Sequence, residues 1–176
     1  MTHHHRMTGS ELMMCHVNLC SHNDSVMVVA GDCPMIQADS IKKLFDAYYD
    51  APAEKRPACI LGTAPKENPT GLGRIIRNEK GEFQGIIEEK DASPEQKKIT
   101  EVNMSYYVFH TPDLLGALTH LRTDNAQKEY YLTDTPAIML SQGKRVVALP
   151  VLKPIETLGI NTVEEAKIVE EAMNSG

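Results

Sequence analysis

Val26-Met27-Val28-Val29-Ala30-Gly31-Asp32-Cys33-Pro34 is an uncharged apolar run that stops at a glycine, a carboxylate and a proline. Such a run reads as a strand buried on both faces of a parallel sheet. Gly31 releases the backbone into a turn, and Pro34 stops any return to strand. Asp32 then stands at the carboxyl end of a buried strand, where open α/β sheets bind their ligands. A carboxylate in that place suits a divalent cation such as Mg²⁺, which prefers hard oxygen donors. Taken alone, the same residues equally fit an Asx-turn or a helix cap.

The chain has 176 residues and a formal net charge of −6. That length makes one domain with room for a core. The acidic balance argues against non-specific nucleic-acid binding, which needs a basic face. It also means that a phosphate ligand must be held by a metal, by backbone N–H groups or by a few placed cations. No apolar run approaches the ~20 residues that a membrane helix needs. The start, Met1-Thr2-His3-His4-His5-Arg6, lacks the apolar centre of a signal peptide. Cys15, Cys20, Cys33 and Cys59 show no paired CxxC spacing, so reduced thiols in a cytoplasmic protein are expected.

Working outward, residues 1–24 read as an N-terminal segment with a tag-like or native start and one helix over 8–21. Cys15, His16, Cys20 and His22 lie there, but structural zinc sites pair their cysteines more tightly, and these positions suit a helix core. The domain proper is expected over 25–176. Asp39-Ser40 caps a helix whose Ile41, Leu44, Phe45 and Tyr48 recur at one-face spacing. Cys59-Ile60-Leu61-Gly62 is a short buried strand. Two strands from Ile75 to Ile87 turn at Asn78-Glu79-Lys80-Gly81, and Val102 to Phe109 is a central strand by its β-branched and aromatic content. Thr111-Pro112-Asp113 opens a helix that sends Leu114, Leu115, Leu118 and Leu121 into the core. A further helix starts near Thr133 and ends at Gly143. Val146-Val147-Ala148-Leu149 is a buried strand, and Thr162-Val163-Glu164-Glu165 is a capping box for the last helix. The expected fold class is α/β: a mixed, mostly parallel sheet flanked by helices, with a hairpin arm near Arg74 to Ile87.

Several polar positions fit chemistry as well as structure. Gly71 and Gly73 bracket the entrance to a strand, which lets a ligand approach the backbone or simply makes a turn. Glu88-Glu89-Lys90-Asp91 is a charge run of the kind usually found on a solvated face. Asn103 carries donors and acceptors able to read sugar hydroxyls or an amide. Tyr130 and Tyr131 fit a core, at least one of them.

Gly31-Asp32-Cys33-Pro34 resembles the Gly-Asp-x-Pro element of the sugar-nucleotide pyrophosphorylases. Pro69-Thr70-Gly71-Leu72-Gly73-Arg74-Ile75 follows, then Gly85-Ile86-Ile87-Glu88-Glu89-Lys90-Asp91-Ala92 and Glu101-Val102-Asn103. After these come Asn125-Ala126-Gln127, Glu129-Tyr130-Tyr131-Leu132-Thr133-Asp134 and Gly159-Ile160-Asn161. In that order and spacing they resemble the uridyltransferase domain of the bacterial bifunctional N-acetylglucosamine-1-phosphate uridyltransferases. The likeness runs from about Ser25 to the end of the chain. It implies a reaction in which the phosphate of a sugar 1-phosphate attacks the α-phosphorus of UTP and pyrophosphate leaves. By the same resemblance, Asp32 and Asn161 hold Mg²⁺ and Asp32 is the catalytic position. Gly31, Gly73, Glu88, Asn103, Tyr131, Thr133 and Asn161 contact substrate, with Glu88 accepting hydrogen bonds from the amino sugar.

The chain departs from the family in two places. Family members open with a glycine-rich loop of the Leu-x-Ala-Gly-x-Gly-Thr-x-Met kind, and nothing like it occurs here. Met104-Ser105 stand where the family continues its asparagine with Thr-Gly. Two readings follow: a nucleotidyltransferase impaired by the missing loop, or a non-catalytic remnant that binds a sugar phosphate or a protein partner. The missing strands also imply an open sheet edge, and hence a homodimer.

Overall fold

The computed structural model describes residues 24–160 and 162–174. The expected helix over 8–21, its cysteines and histidines, and Asn161 lie outside the described residues.

The sheet is built on β5 (Glu101–His110), whose alternate residues are apolar on both faces. Val102, Met104, Tyr106 and Val108 enter one core with Leu44, Tyr48 and Ile60. Tyr107 and Phe109 enter the other with Leu61, Leu114, Leu118 and Met139. This period of two is what a strand buried between two helical layers demands. Along one edge, β2 (Cys59–Pro65) pairs antiparallel with β5 from Cys59↔Phe109 to Pro65↔Glu101, with a bulge between Gly62 and Thr63. The other edge is shared. β3 (Gly73–Arg77) meets β5 at Gly73↔Asn103 and Arg74↔Val102. β1 (Ser25–Val29) takes over from Val29↔Tyr106 to Ser25↔His110.

β3 and β4 (Phe83–Ile87) form the expected hairpin. Its turn carries Gly81 at φ +78, a conformation glycine adopts freely. The Asn78 side chain accepts from the Lys80 and Glu82 N–H groups. β6 (Val146–Leu149) runs parallel to β2. Arg77 binds Glu101 through both carboxylate oxygens, at 2.6 and 2.7 Å, and Thr63 donates to the same carboxylate at 2.6 Å. Burial would raise the Glu101 carboxyl, but these donors outweigh it and hold the group below its ordinary value.

The sheet is mixed and flanked by helices, as expected, but it is not mostly parallel. Of the five pairings among the described residues only β2–β6 is parallel. The chain returns along β5 between strands that run the other way, and apolar alternation carries no information about direction. β1 is correspondingly less buried than its composition suggests: Val28 is buried and its neighbours are half-buried.

α1 (Ala38–Tyr49) starts two residues earlier than a cap at Asp39 implies, with Gln37 at the cap and no side-chain cap of its own. The fully buried Glu156 supplies the missing acceptor. Its carboxylate accepts from Gln37 N–H at 3.0 Å, the Ser40 hydroxyl at 2.6 Å and Lys153 N–H at 2.8 Å. α2 (Thr111–Leu118) and α3 (Thr135–Ser141) cover the opposite face. α4 (Val163–Asn174) begins with the expected capping box: Thr162 N–H donates to Glu165, and Glu165 N–H to the Thr162 hydroxyl. Among the described residues no helix is long and apolar enough to cross a membrane.

Ser105 sits where the shared edge changes hands, and its φ is 57. A side chain in this left-handed region costs roughly 1–2 kcal/mol. Ser105→Gly should therefore stabilise the fold by about 1 kcal/mol, after glycine's greater chain entropy offsets part of the relief. Thermal unfolding should show a midpoint higher by about 2–4 °C; an unchanged or lower midpoint contradicts the strain.

Candidate functional site

A cleft opens where β1 and β3 diverge from β5, floored by Asn103, Met104, Ser105 and Tyr107. Gly31, Asp32, Gly73, Glu88, Asn103, Tyr131 and Thr133 all line it. The sequence expected these seven residues to share a site, and the fold brings them together.

Asp32 enters from the turn after β1, closed by Cys33 N–H donating to Ala30 O at 3.4 Å. Its own carbonyl accepts from Ile160 N–H at 2.9 Å, which ties this turn to the chain just before α4. The Cys33 thiol lies 3.7 Å from an Asp32 carboxylate oxygen. Gly31 is not in the positive-φ region, and a Cβ there would meet nothing within 4 Å. The glycine thus leaves room in the cleft rather than answering a backbone need.

Gly73 meets a steric need. A Cβ at this position would lie 2.9 Å from Ile86 Cγ2 and 3.3 Å from Glu88 Oε1. A side chain here would force Ile86 to shift and Glu88 to give by a few tenths of an ångström, so the bare backbone keeps both close. The Thr133 hydroxyl donates to that carboxylate at 3.0 Å, linking the end of β4 to the turn before α3. Asn103 donates to the Tyr107 hydroxyl at 2.7 Å and accepts from Ser105 N–H at 3.2 Å. Burial pushes the Tyr107 hydroxyl far up, so it keeps its proton. On the rim, Tyr131 accepts from the Gln127 amide at 2.7 Å, and Lys90 binds the other end of that amide. Tyr130 is 40% exposed and Tyr131 half-buried, so neither joins the core expected for at least one of them.

The cleft is acidic. Asp32, Glu88 and Glu129 line it, and no lysine or arginine does among the described residues. Nor do the described residues contain a group of three or more His, Cys, Asp or Glu side chains able to enclose a metal. The sequence reading overlooked Arg74, Glu89 and Glu156. Each is a charged residue that composition assigns to the surface; Arg74 and Glu89 stand within quoted motifs, Glu156 within none.

The fold is that of the nucleotide-sugar pyrophosphorylases. A crystal structure described as apo UDP-glucose pyrophosphorylase matches with a TM-score of 0.70 at 14% identity, over 98% of this chain and 62% of that one. Within this class, the chain is homologous to a stretch of the proteins named bifunctional protein GlmU. It is 42% identical over 154 residues to that of Lactococcus lactis subsp. cremoris strain SK11, covering 88% of this chain and 33% of the relative. The Streptococcus thermophilus LMD-9 protein is 40% identical over 166 residues, or 94% of this chain and 35% of the relative. The chain spans about a third of the length of these relatives. No family model matches it.

Asp134 stands beside Glu88 and gives the site a measurable pH signature. Burial first, then the Glu88 and Asp91 carboxylates, push its carboxyl up to about 6 from 3.8. The folded chain thus holds this proton more tightly than the unfolded chain does. Ionised Asp134 opposes folding progressively as pH rises from about 4 to about 6, and fully above that. Asp134→Asn should raise the unfolding midpoint relative to wild type by a few degrees at about pH 7.5, with a smaller gain at about pH 4.5. A gain independent of pH would contradict this.

Proposed function

We propose that residues 25–176 are part of a sugar-1-phosphate nucleotidyltransferase domain of the uridylyl-transferring kind, with N-acetylglucosamine 1-phosphate as the sugar substrate. One observation carries this reading. Residues from five separate stretches of the chain converge on one cleft in which a carboxylate, an amide and two hydroxyls face a sugar-sized space. The homology to the GlmU proteins supports it independently.

In this reading Glu88, steadied by Thr133, accepts from the N–H or hydroxyl beside the anomeric carbon. Asn103 and Tyr131 orient the ring, while Gly31 and Gly73 leave space for it. The cleft's charge then poses a problem, because carboxylates alone repel a phosphate. Mg²⁺ fits the donor set: it takes one or two carboxylates and completes its shell with water and phosphate oxygens. Asp32 would hold it, with Asn161 as the second ligand. When bound, the metal neutralises charge on the phosphates. Everything the chain itself contributes is positioning.

The cation-poor lining favours binding without transfer by this chain alone. No cationic side chain among the described residues lines the cleft to meet a leaving pyrophosphate, and losing even one donor to such a group costs about 10²–10³ in rate. Calorimetric titration of N-acetylglucosamine 1-phosphate with Mg²⁺ tests the reading. We expect metal-dependent binding to wild type, no metal-dependent binding to Asp32→Ala, and negligible UDP-sugar formation when UTP is added. Equal binding by both chains removes Asp32 from the site, and turnover at ordinary enzyme rates removes the impairment.

We also propose a homodimer through β1, which among the described residues pairs with β5 alone. Its half-exposed, uncharged residues form an edge that proteins rarely leave open. Light scattering at micromolar concentration should give twice the chain mass; a stable monomer rejects the proposal.

A further inference from the structure

Behind the cleft lies an ion pair between a buried arginine and a half-buried glutamate. Arg74 is 1% exposed and heads the large, fully buried side chains. Its guanidinium donates to Leu72 O and, at 2.5 Å, to a Glu89 carboxylate oxygen. The same oxygen accepts from Gly71 N–H at 3.3 Å, while Lys97 Nζ lies 3.6 Å from the other. Hydrogen bonding from Arg74 holds the Glu89 carboxyl below its ordinary value. Yet Arg74 Nε is buried without a hydrogen-bond partner among the described residues. Burying a charge and orphaning a donor are both costly, and an apolar side chain of similar volume often does as well or better in such a place.

What the pair does accomplish is geometric. Strand alternation puts Gly73 and Arg74 on opposite faces of β3, and just past the end of β4 Glu88 lines the cleft while Glu89 meets Arg74. Gly73 faces the cleft opposite Asn103. Arg74 lies on the other face, opposite Val102 of the α1-side core. Gly71, at φ +83, bends the loop back so that its N–H and the Leu72 carbonyl both reach the pair. Gly71 is thereby tied directly to the residue that follows Glu88, and Leu72 through Arg74.

We propose that Arg74 is a positioning residue: its ion pair with Glu89 on the back of the hairpin fixes the spacing of Gly73 and Glu88 on the front, and so sets the acceptor for the sugar. This deepens the proposed function and rests on it. Lysine keeps the charge but is a point donor without the guanidinium fork, so Arg74→Lys cannot hold Leu72 O and Glu89 in the same geometry.

Calorimetry decides between positioning and mere support. Wild type, Arg74→Lys and Glu89→Gln are titrated with N-acetylglucosamine 1-phosphate plus Mg²⁺, and separately with inorganic phosphate plus Mg²⁺. We expect sugar-phosphate affinity to fall about tenfold in both variants while inorganic phosphate binding stays unchanged. Equal loss for both probes, or loss for neither, overturns the proposal. If wild type binds no sugar phosphate, the functional reading fails instead, and amide hydrogen exchange still tests the clamp. Exchange at Gly71 should quicken about tenfold in Arg74→Lys with the β5 amides unaffected, and identical exchange at Gly71 overturns the clamp.

Discussion

One edge of β5 serves two strands, and the site exists because neither strand takes all of it. β3 holds Asn103 and β1 resumes at Tyr106, leaving Met104-Ser105 paired with neither ladder. Ala30 N–H, donating to Ser105 O at 3.3 Å, marks the point where β1 peels away. A continuous neighbour would close this gap with backbone hydrogen bonds. Divergence instead exposes the floor of the sheet, and each departing strand delivers a loop to the rim: Gly31-Asp32-Cys33 from one side and Gly71-Leu72-Gly73 from the other. The left-handed Ser105 is the local strain that permits the handover, in keeping with the tendency of such outliers to gather at functional sites.

The cleft's electrostatics narrow what can occupy it. Carboxylates line both sides and no cationic side chain does among the described residues. An unaccompanied phosphate meets repulsion, whereas a sugar ring meets acceptors. Asp134, beside Glu88 in the neighbouring pocket, adds to this acidity, and burial together with Glu88 and Asp91 pushes its carboxyl up to about 6. The two ends of the cleft are thus chemically distinct, one suited to hydroxyl and amide donors, the other needing a cation before an anion can enter.

Local features were legible from the sequence. The hairpin at Asn78–Gly81, the central strand and the Thr162 capping box each depend on residues a few positions apart, and all three stand as expected. Pairing direction was not legible, since apolar alternation looks the same either way, and the sheet came out largely antiparallel. The gathering of Asp32, Gly73, Glu88, Asn103, Tyr131 and Thr133 came from motif resemblance; no periodicity predicts it. Arg74, Glu89 and Glu156 were missed because charge normally signals surface. Their placement depends on partners elsewhere in the chain, and in the case of Glu156 on a helix start more than a hundred residues earlier.

That long reach of Glu156 bears on the order in which the molecule assembles. The contacts to Gln37 and Ser40 span 119 and 116 residues. On a ribosome, α1 emerges more than a hundred residues before the carboxylate that meets its start. The turn carrying Asp32 waits too, for its carbonyl meets Ile160 later still. Closing such long loops is slow relative to local structure, so the hairpin and central strand are expected to form first, and the Asp32 turn to settle last. β1 in turn exposes its apolar residues until β5 has emerged to pair with it, an interval in which chaperone contact matters.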